Sequence, residues 1–255
     1  MVKGLEHFST AFREHRENYI LIGGAACAIN CSNANPPVEF RKTEDLDLVL
    51  VIEQLTADFV SALWGYIKEG DYAVKNKKEE EGGFVLHRFA KPKTDGFPKQ
   101  IELFSRPHKE ITVDDGQHLT PIETPEELSN FSAILVDEDY YKLISEHQIQ
   151  INDVTTLPPH ILILLKAKAW LGNRELFEQK LVKEGNVNKH PLDIFTLNDI
   201  NEEDPSFKIE SQVKVDFEQV KTLFRDENEQ QYLNGVAGKA LNFDELLEDL
   251  DEFFD

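Results

Sequence analysis

Asp45 and Asp47 stand two apart in the run Thr43-Glu44-Asp45-Leu46-Asp47-Leu48-Val49-Leu50-Val51. The apolar residues make this run a strand. Its period of two sets both carboxylates on one face, with Leu46 and Leu48 on the other. Two carboxylates that close on a segment built for burial are costly unless a cation neutralises them. The pair suits a divalent metal held on the phosphates of a nucleotide; an edge strand with a solvated acidic face accounts for it equally well. A third carboxylate, Glu102, follows in Lys99-Gln100-Ile101-Glu102-Leu103-Phe104-Ser105. There alternation groups Gln100, Glu102 and Phe104 and sends Ile101 and Leu103 into the opposite layer.

The elements that must position these residues are legible on either side. Tyr19-Ile20-Leu21-Ile22-Gly23-Gly24 reads as a short buried strand ending in a glycine pair, and Ala25-Ala26-Cys27-Ala28-Ile29 opens a helix of small residues. A strand, a glycine turn and a helix start leave backbone N–H groups pointing outward, which favours phosphate. Glycine suits the turn because a side chain would block close approach. Taken alone, the same feature is an ordinary strand-to-helix turn. Phe84 to Phe89 forms a strand before Glu102, joined to it by the Pro/Gly-bearing turn Lys91 to Pro98, a hairpin pattern. An antiparallel neighbour of this kind is expected to deliver Glu102 beside the aspartates.

These residues resemble the signature of DNA polymerase β-type nucleotidyltransferases: a hydrophobic residue and a glycine pair, two acidic residues one apart, then a lone strand carboxylate. The matching residues are Ile22-Gly23-Gly24, Asp45-Leu46-Asp47-Leu48 and Ile101-Glu102-Leu103. Arg41-Lys42-Thr43 before the aspartates is similar to the form common in bacterial minimal and abortive-infection members. The stretch Ala25 to Glu44 is longer than usual, and Cys31 to Pro37 has the composition of an inserted surface loop.

A second likeness lies further on. After Leu157-Pro158-Pro159, the run Ile161 to Trp170 reads as a largely buried helix interrupted by Lys166 and Lys168. Arg174 and then Lys189-His190-Pro191-Leu192-Asp193 follow. This order is similar to that of AbiEii/AbiGii toxin-type nucleotidyltransferases, with Lys166 at the family's lysine, Lys189 at its basic position and Asp193 at its second aspartate. His190 departs from it, standing where an aspartate is expected. Read without the likeness, Lys166 is a snorkelling lysine at a helix edge and Asp193 a capping or salt-bridging carboxylate.

At 255 residues the chain can bury a sizeable core. The expected fold class is α+β, a small mixed sheet flanked by helices and followed by a mainly helical C-terminal region. The expected divisions are a catalytic core over 1–110, a mixed extension over 111–156 and a helical domain with an acidic tail helix over 157–255. Within them, helices are expected over Gly4–Glu14 and Leu55–Gly70, a solvated turn over Lys75–Glu81, a strand at Ile111-Thr112-Val113, a helix start at Pro125 and a strand over Ala133–Val136. No run is long enough to span a bilayer and the N-terminus has no apolar signal region, so no membrane role and a cytoplasmic location are expected. The two cysteines, Cys27 and Cys31, read as buried thiols in a reducing compartment. A net charge of −21 argues against gripping nucleic acid by general electrostatics. A local patch of Arg41, Lys42, Lys166 and Lys168 leaves an RNA substrate open. The tail from Phe243 to Asp255 alternates acidic and apolar residues at helical spacing and is expected to pack on the body.

The resemblance implies transfer of a nucleoside monophosphate from an NTP to an acceptor hydroxyl. Asp45, Asp47 and Glu102 would be catalytic and would hold Mg²⁺ or Mn²⁺; Gly23, Gly24, Lys42, Lys166 and Asp193 would bind the nucleotide. The acceptor would be RNA, such as a tRNA end, or a protein, in a toxin or phage-defence setting with an antitoxin partner. A small-molecule transferase of the antibiotic-modifying kind and a non-catalytic nucleotide-binding module are the alternatives.

Overall fold

The computed structural model describes residues 2–74, 85–105, 112–113, 117–118, 137–202, 207–209 and 211–254. Helix α1 (Leu5–Ala11) and a 3₁₀ segment (Arg13–Asn18) lead into β1 (Tyr19–Ile22), α2 (Gly23–Asn33) and β2 (Asp45–Leu50). Then come α3 (Ala57–Glu69), β3 (Ala73–Val74), β4 (Val85–Ala90) and β5 (Gln100–Ser105). A small pair, β6 (Thr112–Val113) and β7 (Gln117–His118), precedes α4 (Glu138–Glu146) and the hairpin β8 (Ile149–Ile151) and β9 (Val154–Thr156). The remainder is helical: α5 (Pro159–Glu178), α6 (Glu184–Asn198), α7 (Ser211–Arg225), α8 (Glu227–Ala237) and α9 (Phe243–Phe253). The fold is thus α+β, a small mixed sheet with flanking helices and a helical C-terminal region.

The sheet runs β1-β2-β5-β4-β3. β1 pairs antiparallel with β2, and β4 with β5, as the hairpin pattern requires. β2 and β5 run parallel, so Glu102 reaches the aspartates through a parallel neighbour and not an antiparallel one. The long excursion between them, through α3 and two further strands, is what permits a parallel pairing.

One sheet face is closed by aromatic packing. Phe8 lies edge-on to Tyr19 at 5.3 Å, and Trp64 of α3 lies edge-on to Phe89 at 5.8 Å. Thr56 caps α3 by accepting the Phe59 N–H at 3.2 Å, and Phe59, Leu63, Tyr66 and Ile67 form its buried stripe. The opposite face carries Asp47 and meets the start of α2. There α5 packs against both α2 and α6. Helix α5 starts with Pro159 in its first turn and is buried on nearly every side through its first three turns. The Asn30 amide donates to the Leu157 carbonyl at 3.0 Å, tying α2 to the chain just before α5.

Two boundaries differ from the sequence reading. Helix α2 continues to Asn33, with Cys27 and Cys31 both buried as expected of the two thiols, so the irregular stretch begins only at Ala34 and not at Cys31. Helix α1 stops at Ala11 and the chain tightens to a 3₁₀ turn with a non-helical His15. The tail packs as expected: Phe243, Leu246, Leu250 and Phe253 of α9 are buried, and Asp251 is paired by Lys221 at 2.7 Å. The expectations for Lys75–Glu81, Ile111, Pro125 and Ala133–Val136 lie outside the described residues.

Candidate active site

The strand register sets three carboxylates on one face. Asp45 pairs with Gln100 and Asp47 with Glu102 across the parallel β2–β5 ladder. In-register residues of neighbouring strands project to the same side. Ile22, the last residue of β1, is opposite Asp47 from the other side, so the glycine turn begins beside that carboxylate. Neither the Asp45 nor the Asp47 carboxylate has a hydrogen bond or ion pair among the described residues. Burial raises the Asp47 pKa to about 7, with Glu102 and Asp45 adding repulsion, and burial likewise raises Asp45.

Glu102 is differently placed. It is 7% exposed, and its Oε1 accepts from Arg88 Nε at 2.6 Å and Gln100 Nε2 at 2.7 Å. Burial raises its pKa and outweighs the opposing pull of Arg88. Among the described residues, no group of three or more His, Cys, Asp or Glu side chains is placed to hold a metal ion. The unbonded pair Asp45 and Asp47 therefore supplies the donors that fit a divalent cation: hard oxygens, desolvated, with no competing proton donor.

The N-terminus of α2 opens at the same place. Gly23 has φ +69°, and a Cβ on it would overlap the Asp47 carboxylate, lying 2.9 Å from its Cγ. A Cβ on Gly24 would lie 2.8 Å from Thr43 Oγ1 and 3.5 Å from Arg41 Nη2. The glycine pair is thus required by close approach. Among the described residues no side chain caps this helix, and no acidic residue sits in its first turn, so its initial N–H groups keep their positive character.

Cations arrive from three segments. Asp193 on α6 is 2% exposed and accepts from Arg41 Nε at 2.6 Å, Arg41 Nη2 at 2.7 Å and Lys166 Nζ at 2.8 Å. Its burial would raise its pKa, yet Lys166 and Arg41 together hold it below the usual aspartate value. Lys189, one turn earlier on α6, has no ion pair among the described residues. Burial, with repulsion from Lys166 and Arg41, pushes its pKa down. His190 is buried, its Nε2 2.7 Å from Asn173 Nδ2, and burial among these cations keeps it neutral. Lys42 is largely exposed and pairs with Glu44 at 3.2 Å; Lys99 pairs with the other oxygen of Glu44. A cavity of about 480 Å³ joins these parts, with Gly24, Asp45, Asp47, Lys166 and Lys189 in its wall.

The expected residues thus converge, with Asp193 set behind Arg41 and Lys166. Sequence reasoning passed over Arg88 and Asn173. An arginine next to His87 inside the otherwise apolar strand β4 was the available signal for Arg88; Asn173 has none, since only the α5–α6 packing pairs it with His190.

No family model matches the chain, and no curated protein matches it. Among solved structures, it is similar to an antigenic nucleotidyltransferase-like protein from Paracoccidioides brasiliensis, with 13% identity, 94% of this chain and 96% of that chain covered, and a TM-score of 0.46. Among the described residues, no helix is long and apolar enough to cross a membrane.

Proposed function

We propose that this chain is a metal-dependent nucleotidyltransferase that moves a nucleoside monophosphate from an NTP to an acceptor hydroxyl. The observation that carries the reading is the in-register placement of Asp47 beside Glu102, with Asp45 on the same face and the glycine start of α2 against Asp47. Asp45 and Asp47 would hold Mg²⁺ or Mn²⁺ beside Glu102, and the bound ion supplies charge neutralisation on the triphosphate.

The chain's own residues would do the rest. The first N–H groups of α2, at Gly23 and Gly24, would donate to a phosphate oxygen. Lys189 is the cation with charge to spare, while Lys42 is exposed and can swing toward the leaving pyrophosphate. Lys166 faces the same cavity but is anchored by Asp193. Asp193 has both oxygens engaged, so it serves as a positioning residue for Arg41 and Lys166 rather than as a direct nucleotide contact. Glu102, with its raised pKa, would take the acceptor proton, directly or through water. The acceptor classes are RNA, such as a tRNA end, or protein; a toxin-like or defence role with an antitoxin partner rests on the sequence resemblance.

A second reading has its own support. The Arg88 bond to Glu102 occupies the group that would activate the acceptor, which favours a module that binds Mg²⁺·NTP without turnover. Incubation with each labelled NTP, Mg²⁺ and total cell RNA or lysate separates the two. Label appearing in RNA or protein supports transfer. Metal-dependent heat stabilisation by NTP with no labelled product supports the binding module.

A further inference from the structure

A second cavity lies along the same α5–α6 seam, where α8 joins it, and encloses about 370 Å³. Phe177 stands about three turns beyond Lys166 on the same face of α5. It lines this groove together with Tyr232 of α8. Leu181 follows Phe177 by four residues and Val236 follows Tyr232 by four, a spacing that in α8 puts both side chains on one helix face. Among the described residues these are four of the five exposed large hydrophobic side chains: Phe177 44%, Leu181 46%, Tyr232 41% and Val236 39%, the fifth being Val215 of α7. Single exposed apolar residues are ordinary, but two exposed aromatic side chains in the wall of one cavity, Phe177 and Tyr232, mark a contact surface.

The polar lining selects the occupant. Arg174 is already committed: its Nη1 is 2.8 Å from Glu229 and its guanidinium lies 5.7 Å from the centre of the Trp170 ring. Glu184 accepts the Tyr232 hydroxyl at 2.6 Å and has no cation partner among the described residues. Glu178 likewise lines the groove with no ion pair there. Two uncompensated carboxylates beside two aromatic rings repel phosphate and attract cations. A nucleic acid is disfavoured for that reason, whereas aromatic rings and free carboxylates together suit an apolar residue flanked by basic ones.

We infer that this groove docks a basic peptide segment of a partner protein. An apolar side chain seats between Phe177 and Tyr232, and arginine or lysine residues reach Glu178 and Glu184. The inference does not depend on the transfer reading, since no residue of the groove belongs to the carboxylate site.

The test is fluorescence anisotropy with four labelled probes: a peptide carrying a central phenylalanine flanked by arginines, the same peptide with alanine for phenylalanine, its glutamate-for-arginine counterpart, and an oligouridylate. Saturable binding of the first, with the other three weaker by about tenfold or more, is expected. Two variants, the double substitution Glu178→Lys with Glu184→Lys and the single Tyr232→Ala, should each weaken the first probe about tenfold. Both should keep the wild-type circular dichroism, with a melting temperature lowered only by about 2–4 °C for the lost exposed Tyr232 hydroxyl bonds to Glu184 and Asn188. Equal binding of the alanine peptide, or unchanged affinity in both variants, would reduce the effect to general attraction by a chain of net charge −21 and overturn the inference. Preferred binding of the oligouridylate, or no saturable binding, would overturn it as well.

Discussion

Substituting Asp193→Asn keeps the shape of the side chain and removes the charge that two cations share. Lys166 is the more affected, because its side chain is 3% exposed and Asp193 is 2% exposed. Removing one partner from a pair so deeply buried costs about 3–5 kcal/mol, mostly as an uncompensated charge left behind. Arg41 is 36% exposed, so solvent screens its share and most of the loss belongs to Lys166. For a chain of this size, each kcal/mol moves the melting temperature by roughly 2 °C, which predicts a drop of roughly 6–10 °C. The assay is thermal unfolding by circular dichroism near neutral pH. A second arm adds Lys166→Met to Asp193→Asn, and the double variant should recover a substantial part of the loss. The pH dependence has a definite sign. The native Asp193 pKa lies below its unfolded value, so its stabilisation is present above about pH 4 and is lost as pH falls through the native value. Wild type and Asp193→Asn should therefore converge in acid. A melting temperature for Asp193→Asn within a degree or so of wild type, with no recovery in the double variant, would mean that Asp193 does not hold Lys166 in the folded protein.

Lys189→Met should leave the ligand-free protein as stable as wild type or slightly more so, because it removes a half-buried cation repelled by Lys166 and Arg41. The same change should weaken Mg²⁺·NTP binding about tenfold, measured by calorimetry. Gly23→Ala places a side chain at φ +69° against the Asp47 carboxylate, so a loss of about 1–3 kcal/mol in urea unfolding is expected, together with loss of NTP-dependent stabilisation. Asp45→Asn should not lower the melting temperature of the metal-free protein, since it removes a partly buried charge without a hydrogen-bond partner among the described residues. It should abolish the rise produced by Mg²⁺ with NTP in differential scanning fluorimetry.

The local grammar of the site was readable because short-range rules fix it. Period-two alternation in 45–50 and 100–105 sorted Asp45, Asp47 and Glu102 to one face, and the sheet confirms that sorting residue by residue. The strand–glycine–helix order at 19–33 is equally local, and the turn of 91–98 announced the β4–β5 hairpin. Orientation was another matter. Nothing within a strand says whether its neighbour runs parallel, and the β2–β5 pairing is decided by the path of the chain between them. The arginine clamp was also hidden: Arg41 and Asp193 are 152 residues apart and meet only through tertiary packing. The continuation of α2 through Cys31 to Asn33 overrode the local composition of Ser and Asn because Cys31 is fully buried there. Polar residues that favour turns in isolation follow the helix when its buried face continues.

The decisive experiment follows label from an α-labelled NTP, in Mg²⁺ with total RNA or lysate, for wild type and for Asp47→Asn of equal melting temperature. Wild type should give labelled product and Asp47→Asn none; equal labelling by the two proteins would remove Asp47 from the chemistry and with it the carboxylate site.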